Sequence, residues 1–355
     1  MSGIYIHIPF CKTHCTYCAF YSELLRDRQG SESFVSALCA EIEDSAFPDN
    51  VRTLYIGGGT PSVLSISEFK AIIDALDAKI PVRGLEEFTV EVNPDDILHW
   101  GQDYVEALKS LGVNRISMGV QSFDDGELHL MGRRHNAEQA KSAYNLLLNS
   151  HIDNISIDLI FGFREGLDTA VLEAELLNLG RLPQHISCYQ LSIEEGSGLD
   201  RMQQKGLYSM PSDEECERQY YAICSLLKKL GYHHYEISNW ALPGFESRHN
   251  SAYWNHSPYL GLGPGAHSLI IDEKGNFIRR WNNECLEKYL QLGSMAPGSE
   301  RQRAWNTLRG EERLTPEQIR EERIFLGLRT DKGVDGQRIP EDKWFVSDSI
   351  IVDML

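Results

Sequence analysis

The chain has 355 residues, 42% apolar and 24% charged, and 34 Lys+Arg against 52 Asp+Glu leave a formal net charge of −18. These are the proportions of a folded protein of one large or two unequal domains, and no stretch approaches the roughly eighteen uncharged apolar residues of a membrane helix. The acidic balance argues against sequence-independent nucleic-acid binding, and MSGIYIHIPF lacks the basic and long apolar regions of a signal peptide, so a cytoplasmic protein without a nucleic-acid partner is expected, a local basic patch apart.

Short β-rich runs alternate with segments of helical period. Strands are predicted at Ile4–Ile8, Val51–Ile56, Phe88–Val92, Arg115–Val120, Ile155–Phe161 and His185–Ile193, with helices near Glu32–Asp44, Ser67–Lys79, Tyr104–Leu111, Ala137–Asn149, Thr169–Leu179 and Ser212–Leu230. Consecutive βα units specify a parallel sheet with helices outside it, and strands such as ISIDLIFG are aliphatic on both faces, as cover on both sides requires. Six units fall short of the usual eight-stranded closure, so a partial barrel is expected, with a doubly wound sheet as the alternative. From Gly231 to Ser268 the chain is rich in His, aromatic residues and Gly with little periodicity, and from about Trp281 it is mixed in charge and helical in character. TPEQIREERIFLGL reads as a Thr-capped amphipathic helix, and the apolar tail FVSDSIIVDML is expected to dock. The resulting division is an α/β barrel over 1–230, a His/aromatic-rich extension over 231–280 and a small, mainly helical domain over 281–355.

The 8 cysteines are uneven in distribution. Cys39, Cys188, Cys216, Cys224 and Cys285 are scattered and read as small packing residues, disulfides being disfavoured in a long chain without a secretion signal. Cys11, Cys15 and Cys18 instead form C-x3-C-x2-C directly after the first strand. Three thiolates so close call for a soft metal centre, an iron–sulfur cluster or, with His7 or His14 as fourth ligand, zinc. Three ligands on a cubane leave one iron open, as a reactive site requires.

Active sites of such barrels gather where strands end. Gly57, Gly58, Gly59 and Thr60 end the second strand; they suit either a tight turn or a backbone that a ligand approaches closely, and they lack the Gly-Lys-Ser/Thr ending of a P-loop. Glu91, Gln121 and Asp158 end the next three strands, and three such polar positions favour a shared ligand. Gln190 on the sixth strand is a further candidate. His233, His234, His249, His256 and His267 share a short stretch with Tyr235, Trp240, Tyr253, Trp254 and Tyr259, which suits either a packed aromatic connection or a planar macrocycle with an axial ligand.

IYIHIPFCKTHCTYCAF resembles the signature of the radical S-adenosylmethionine (SAM) superfamily. With GGGTPS at Gly57–Ser62, MGVQSF at Met118–Phe123 and HNSAYW at His249–Trp254, nearly the whole chain is similar to the oxygen-independent coproporphyrinogen III oxidase group and, within it, the HemW haem chaperones. The resemblance implies a partial (β/α)6 barrel and a 4Fe-4S cluster on Cys11, Cys15 and Cys18, with SAM chelating the fourth iron. It implies a SAM site lined by Gly58, Gly59, Thr60, Glu91, Gln121, Asp158 and Gln190, with Tyr5 and Tyr17 near the adenosyl group. Arg133, or the adjacent Arg134, would meet the SAM carboxylate, for which a planar guanidinium is suited. It further implies haem or another tetrapyrrole as ligand, His249 as candidate axial ligand, and apo-haemoproteins as acceptors. Gly261, Gly263 and Gly265 would allow a backbone turn beside SAM.

Phe20 stands where the oxidases carry a further cysteine, and the chain begins ten residues before Cys11, where they bear a longer extension. Both differences favour the chaperones, so coproporphyrinogen oxidase activity is not expected; a 5′-deoxyadenosyl-radical oxidase acting on coproporphyrinogen III is the alternative. FGFREG at Phe161–Gly166 departs from the family's YGLPGQ, which puts that loop in doubt. Any membrane contact is expected to be peripheral, and the sequence leaves open whether the chain forms a dimer.

Overall fold

A computed structural model describes residues 2–355. The six predicted strands are present as β1 (Ser2–Ile8), β2 (Val51–Gly58), β3 (Glu87–Val92), β4 (Arg115–Gln121), β5 (Asn154–Phe161) and β6 (His185–Gln190). Each pairs in parallel with the next. The connections carry the helices Arg28–Asp44, Ile66–Asp77, Gln102–Ser110, Ala137–Asn149 and Thr169–Leu177, and Asp213–Lys229 follows β6. Local chemistry sets their starts: Ser65 and Glu68 form a reciprocal capping box before Ile66, and Asn136 and Gln139 do the same before Ala137. Strands covered by these helices are buried at almost every position, β1 and β4 above all.

Six further strands extend the sheet: β7 (His233–Glu236), β8 (Asn239–Ala241), β9 (Tyr259–Leu262), β10 (His267–Ile271), β11 (Phe277–Asn282) and β12 (Arg309–Arg313). The spatial order is β12-β11-β10-β9-β1-β2-β3-β4-β5-β6-β8-β7. From β1 to β6 it follows the chain without the reversal that a doubly wound sheet contains, and its two ends do not pair, so the partial barrel is the architecture formed.

The stretch read as aperiodic thus holds a seventh parallel strand, β9, paired to β1 from Gly3↔Tyr259 to Ile6↔Leu262. It is only four residues long and contains Gly261, where a Cβ would stand 1.9 Å from the His267 carbonyl oxygen. At Gly263 a Cβ would stand 2.4 Å from the His7 carbonyl oxygen. These glycines, with Gly265 against Tyr21, serve close packing between β1, β9 and β10, and they do not line the cleft described below.

The segment after residue 281 contains β12 and the helices Leu286–Gly293, Ser299–Trp305, Pro316–Leu328 and Ser347–Met354. Thr315 caps its helix with Gln318, and the tail docks through the fully buried Ile351. Glu41, also fully buried, ties this segment to the barrel. Its carboxylate accepts from the Gly263 amide, the Asn282 side chain and the Tyr289 hydroxyl, each at 2.8 Å, and pairs with Arg309 at 2.9 Å. A carboxylate survives burial because every lone pair is matched in this way. Among the described residues no helix is long and apolar enough to cross a membrane.

Candidate functional site

The loop carrying the three cysteines leaves the carboxyl end of β1 and is pinned on both sides through Thr16. Its amide and hydroxyl donate to the carbonyls of Met131 (3.0 Å) and Leu130 (2.8 Å), and its own carbonyl accepts from Leu199 N at 2.8 Å. At Gly198 a Cβ would stand 2.8 Å from the Thr16 Cα, so the contact needs glycine. Cys11, Cys15 and Cys18 are free, half-buried thiols lining the mouth of one cleft of about 600 Å³. Burial pushes the Cys11 thiol up and the Cys18 thiol up to about 11. Among the described residues no trio of metal-ligating side chains is drawn around a single ion position. The cysteine trio on one cleft wall, with a cation behind it, fits a larger, anionic, thiolate-held centre. His7 offers no fourth ligand, because Tyr5 donates to its Nδ1 (3.0 Å) and its Nε2 donates to the Tyr21 carbonyl (2.9 Å). His14 lies at the mouth, bonded to Ser22 Oγ at 3.2 Å.

The cation is Arg133. Its Nη1 donates to Cys15 Sγ at 3.3 Å, its Nη2 donates to Asn93 Oδ1 (2.6 Å) and the Gly119 carbonyl (2.7 Å), and its Nε is buried without a partner. Arg134 is committed elsewhere, to Asp95 at 2.6 Å and Asp96 at 3.3 Å. Of the two guanidiniums, Arg133 is the one that faces the cysteines.

The glycine run fits its surroundings atom by atom. At Gly58, with φ +109, a Cβ would stand 2.7 Å from the His7 ring, and at Gly59 one would stand 2.7 Å from the Phe10 carbonyl oxygen. Thr60 Oγ1 lies 3.4 Å from Cys11 Sγ. Glu91 accepts from the Tyr55 hydroxyl (2.6 Å) and from Gly58 N (3.1 Å), and burial, offset by these bonds, pushes it up to about 7. Gln121 sits at φ 70 where β4 and β5 slip register, so local strain re-aims its side chain into the cleft. Asp158 accepts from Ser117 Oγ at 3.0 Å and is raised by burial. Tyr17 and Gln190 line the same cleft.

Two expected site residues are not brought there. Tyr5 packs beside Tyr55 with its hydroxyl spent on His7, away from the cleft surface. His249 is 1% exposed and lies at the opposite end of the barrel from the cysteines. Its helix, Arg248–Trp254, is capped by Glu87, the first residue of β3, which accepts from the amides of Arg248 (2.8 Å) and His249 (2.9 Å). Its ring nitrogens are bonded to Thr53 Oγ1 (2.9 Å) and the Tyr253 hydroxyl (2.8 Å), its ring stacks on Tyr55, and burial pushes it down to about 3. The one lone pair of this neutral imidazole is engaged by one of the two hydroxyls, and HNSAYW packs at the barrel floor, away from the cysteines. The other histidines of that stretch disperse: His234 stacks on Trp240, His256 meets Glu322, His267 stacks on Trp281 and His233 meets Asp331.

Sequence reasoning missed Asn93, Arg115, Ser117 and Ser187, which also line the cleft. The signal was present: Arg115, Ser117, Gly119 and Gln121 alternate along β4 and form an inward polar face, and Asn93 shares a face with Glu91 two residues earlier.

Residues 5–175 match the family model of the radical SAM superfamily. The chain is 36% identical to the haem chaperone HemW of Lactococcus lactis over 94% of this chain and 83% of that protein. It is 35% identical to HemW of Bacillus subtilis over 96% of this chain and 86% of the relative. The structure of the Escherichia coli coproporphyrinogen III oxidase HemN, a radical SAM enzyme, superposes with a TM-score of 0.75 at 22% identity, covering 93% of this chain and 76% of that one.

Proposed function

This chain belongs to the radical SAM superfamily and, within it, to the HemW group, and from that premise we propose that it is a haem chaperone holding a 4Fe-4S cluster and SAM. The observation that carries the cluster is the placement of Cys11, Cys15 and Cys18 on one cleft mouth with Arg133 donating to Cys15. The cluster, held by Cys11, Cys15 and Cys18, would supply an iron with an open position for SAM. Around it, Gly58, Gly59 and Thr60 would present backbone and hydroxyl groups to the methionine portion, Glu91 would accept from its amino group, and Arg133 would screen the negative charge of the thiolates and meet the carboxylate. Gln121, Asp158, Gln190 and Tyr17 form the wall against which the nucleoside lies.

Haem is the cargo, received at the cleft mouth and passed to apo-haemoproteins. The side chain of Phe20 at this mouth is 74% exposed, an apolar face of the kind a planar macrocycle covers. The division of labour follows the chain: residues 1–230 hold cluster and SAM, 231–280 close the barrel floor, and 281–355 buttress the first helix through Glu41 and Arg309. The setting is the cytoplasm, with membrane contact peripheral.

Anaerobic reconstitution tests this reading. Iron and sulfide of about four per chain, lost in the Cys11→Ala, Cys15→Ala, Cys18→Ala variant, are expected. Haemin should produce a Soret shift, and the reduced protein should leave coproporphyrinogen III unchanged. Stoichiometric zinc in place of iron, or conversion of coproporphyrinogen III, would refute it.

A further inference from the structure

Arg115 opens β4 and is 2% exposed. Its side chain lines the cleft, as do Tyr55, Ser117, Ser187 and Asn250, and its charge acts on Tyr55, Glu91, Asp158 and His249. The other buried arginine, Arg301, is matched by Asp44 at 2.6 Å, and the half-buried Arg309 is matched by Glu41 at 2.9 Å. Arg115 is not: among the described residues its Nε is buried with no hydrogen-bond partner. A guanidinium stays charged at every accessible pH and offers five donors in a planar fork, so leaving it buried and unmatched is costly unless something enters to match it.

The space for an occupant exists. Ser117, the next inward position of β4, is too small to fill the interior that a barrel ordinarily packs with branched side chains, whereas the space beside Gly119 is taken by Gln121, Arg133 and Asn93. At about 3.3 Å per residue, Arg115 lies about 20 Å below Gln121, well away from the end where the cysteines gather. Glu91 and Asp158 line the cleft between the two ends, and Arg115 acts on both carboxyls through space, favouring their charged forms. A phosphate dianion would be repelled by that pair, whereas a single carboxylate matches the guanidinium fork in shape and charge.

We infer that the floor of the cleft is a binding subsite for a small aliphatic carboxylate, held by the Arg115 guanidinium and flanked by Ser117 and Asn250. The subsite is built from protein side chains alone and does not depend on the cluster or on SAM, so it can be tested on the full chain as purified.

Thermal unfolding is followed with sodium propionate, sodium phosphate and sodium chloride at matched ionic strength. Propionate is expected to raise the midpoint with the logarithm of its concentration once that exceeds the dissociation constant, by about 2 °C at a tenfold excess, while phosphate and chloride do not. Arg115→Gln removes the response and retains a cooperative transition, since among the described residues no side-chain hydrogen bond or ion pair is lost with it; Arg115→Lys, which keeps the charge without the fork, weakens propionate binding about tenfold. An equal response to chloride or phosphate, a response retained in Arg115→Gln, or none in the wild type would each overturn the assignment. If Arg115→Gln fails to fold, an unchanged dissociation constant in Arg115→Lys overturns it.

Discussion

Replacing His249 by Ala separates a floor-closing residue from a haem ligand. The imidazole joins Thr53 and Tyr253 through bonds of 2.9 and 2.8 Å and stacks on Tyr55 with centroids 5.2 Å apart. Two hydrogen bonds of about 1 kcal/mol each, two hydroxyls left without a partner and the cavity of a missing ring sum to a loss of about 3–5 kcal/mol. Since burial pushes the imidazole from the usual 6.5 down to about 3, the folded state excludes its proton. Its contribution is therefore full above pH 6.5 and declines as pH falls toward 3, by about 1.4 kcal/mol for each pH unit. Urea unfolding at pH 7.5 and 5.5, with haemin titration of the folded proteins by Soret absorbance, reads both roles. His249→Ala should lose about 3–5 kcal/mol at pH 7.5 with haemin affinity within about twofold of wild type, and His249→Gln, which keeps one or both bonds, should lose about half as much. For both variants the deficit narrows at pH 5.5. A His249→Ala protein of unchanged stability that binds haemin about tenfold more weakly, a change worth 1.4 kcal/mol, would refute the reasoning.

Three further outcomes are expected. Glu91 is half-ionised near pH 7, so SAM affinity of the cluster-loaded protein, measured by calorimetry, should tighten as pH rises through about 7, and Glu91→Gln should bind more weakly and lose that dependence. Glu236, buried beside Asn239, is likewise pushed up to about 7 from 4.5, so its contribution to stability is full below pH 4.5 and is lost as pH rises to 7; Glu236→Gln should unfold at higher urea than wild type at pH 8 and not at pH 4.5. Glu41→Ala leaves Arg309 without its carboxylate and should cost about 3–5 kcal/mol in urea unfolding, with β12 the first segment to lose amide-exchange protection.

The βα array was legible because its strands are long and aliphatic and its helices open on Ser, Asn and Asp caps. The cysteine loop was legible because three soft ligands at that spacing have few other uses. Glu91, Gln121 and Asp158 stood out as polar ends of apolar strands, and all three line the cleft. β9 was not legible: four residues with a glycine among them carry no usable period, and the strand forms because β1 offers it a free edge. HNSAYW displayed its aromatic and imidazole content but not which end of the barrel it would occupy; that is decided by Glu87 and Thr53, far away in the chain. Arg115 did not stand out because it opens its strand instead of ending it, and the partnerless state of its Nε is a property of three-dimensional surroundings alone.

The pairing of β1 with β9 also bears on the order of events in the cell. The strand that aims the cysteine loop leaves the ribosome more than two hundred residues ahead of the neighbour on its other edge. Closing so long a loop is slow, and until it closes β1 remains an open edge liable to wrong pairing. A metal centre assembled on the nascent chain would sit on a half-supported strand, exposed to solvent and oxygen. A centre held by this loop would be better protected if inserted once the last parallel strand has locked the first.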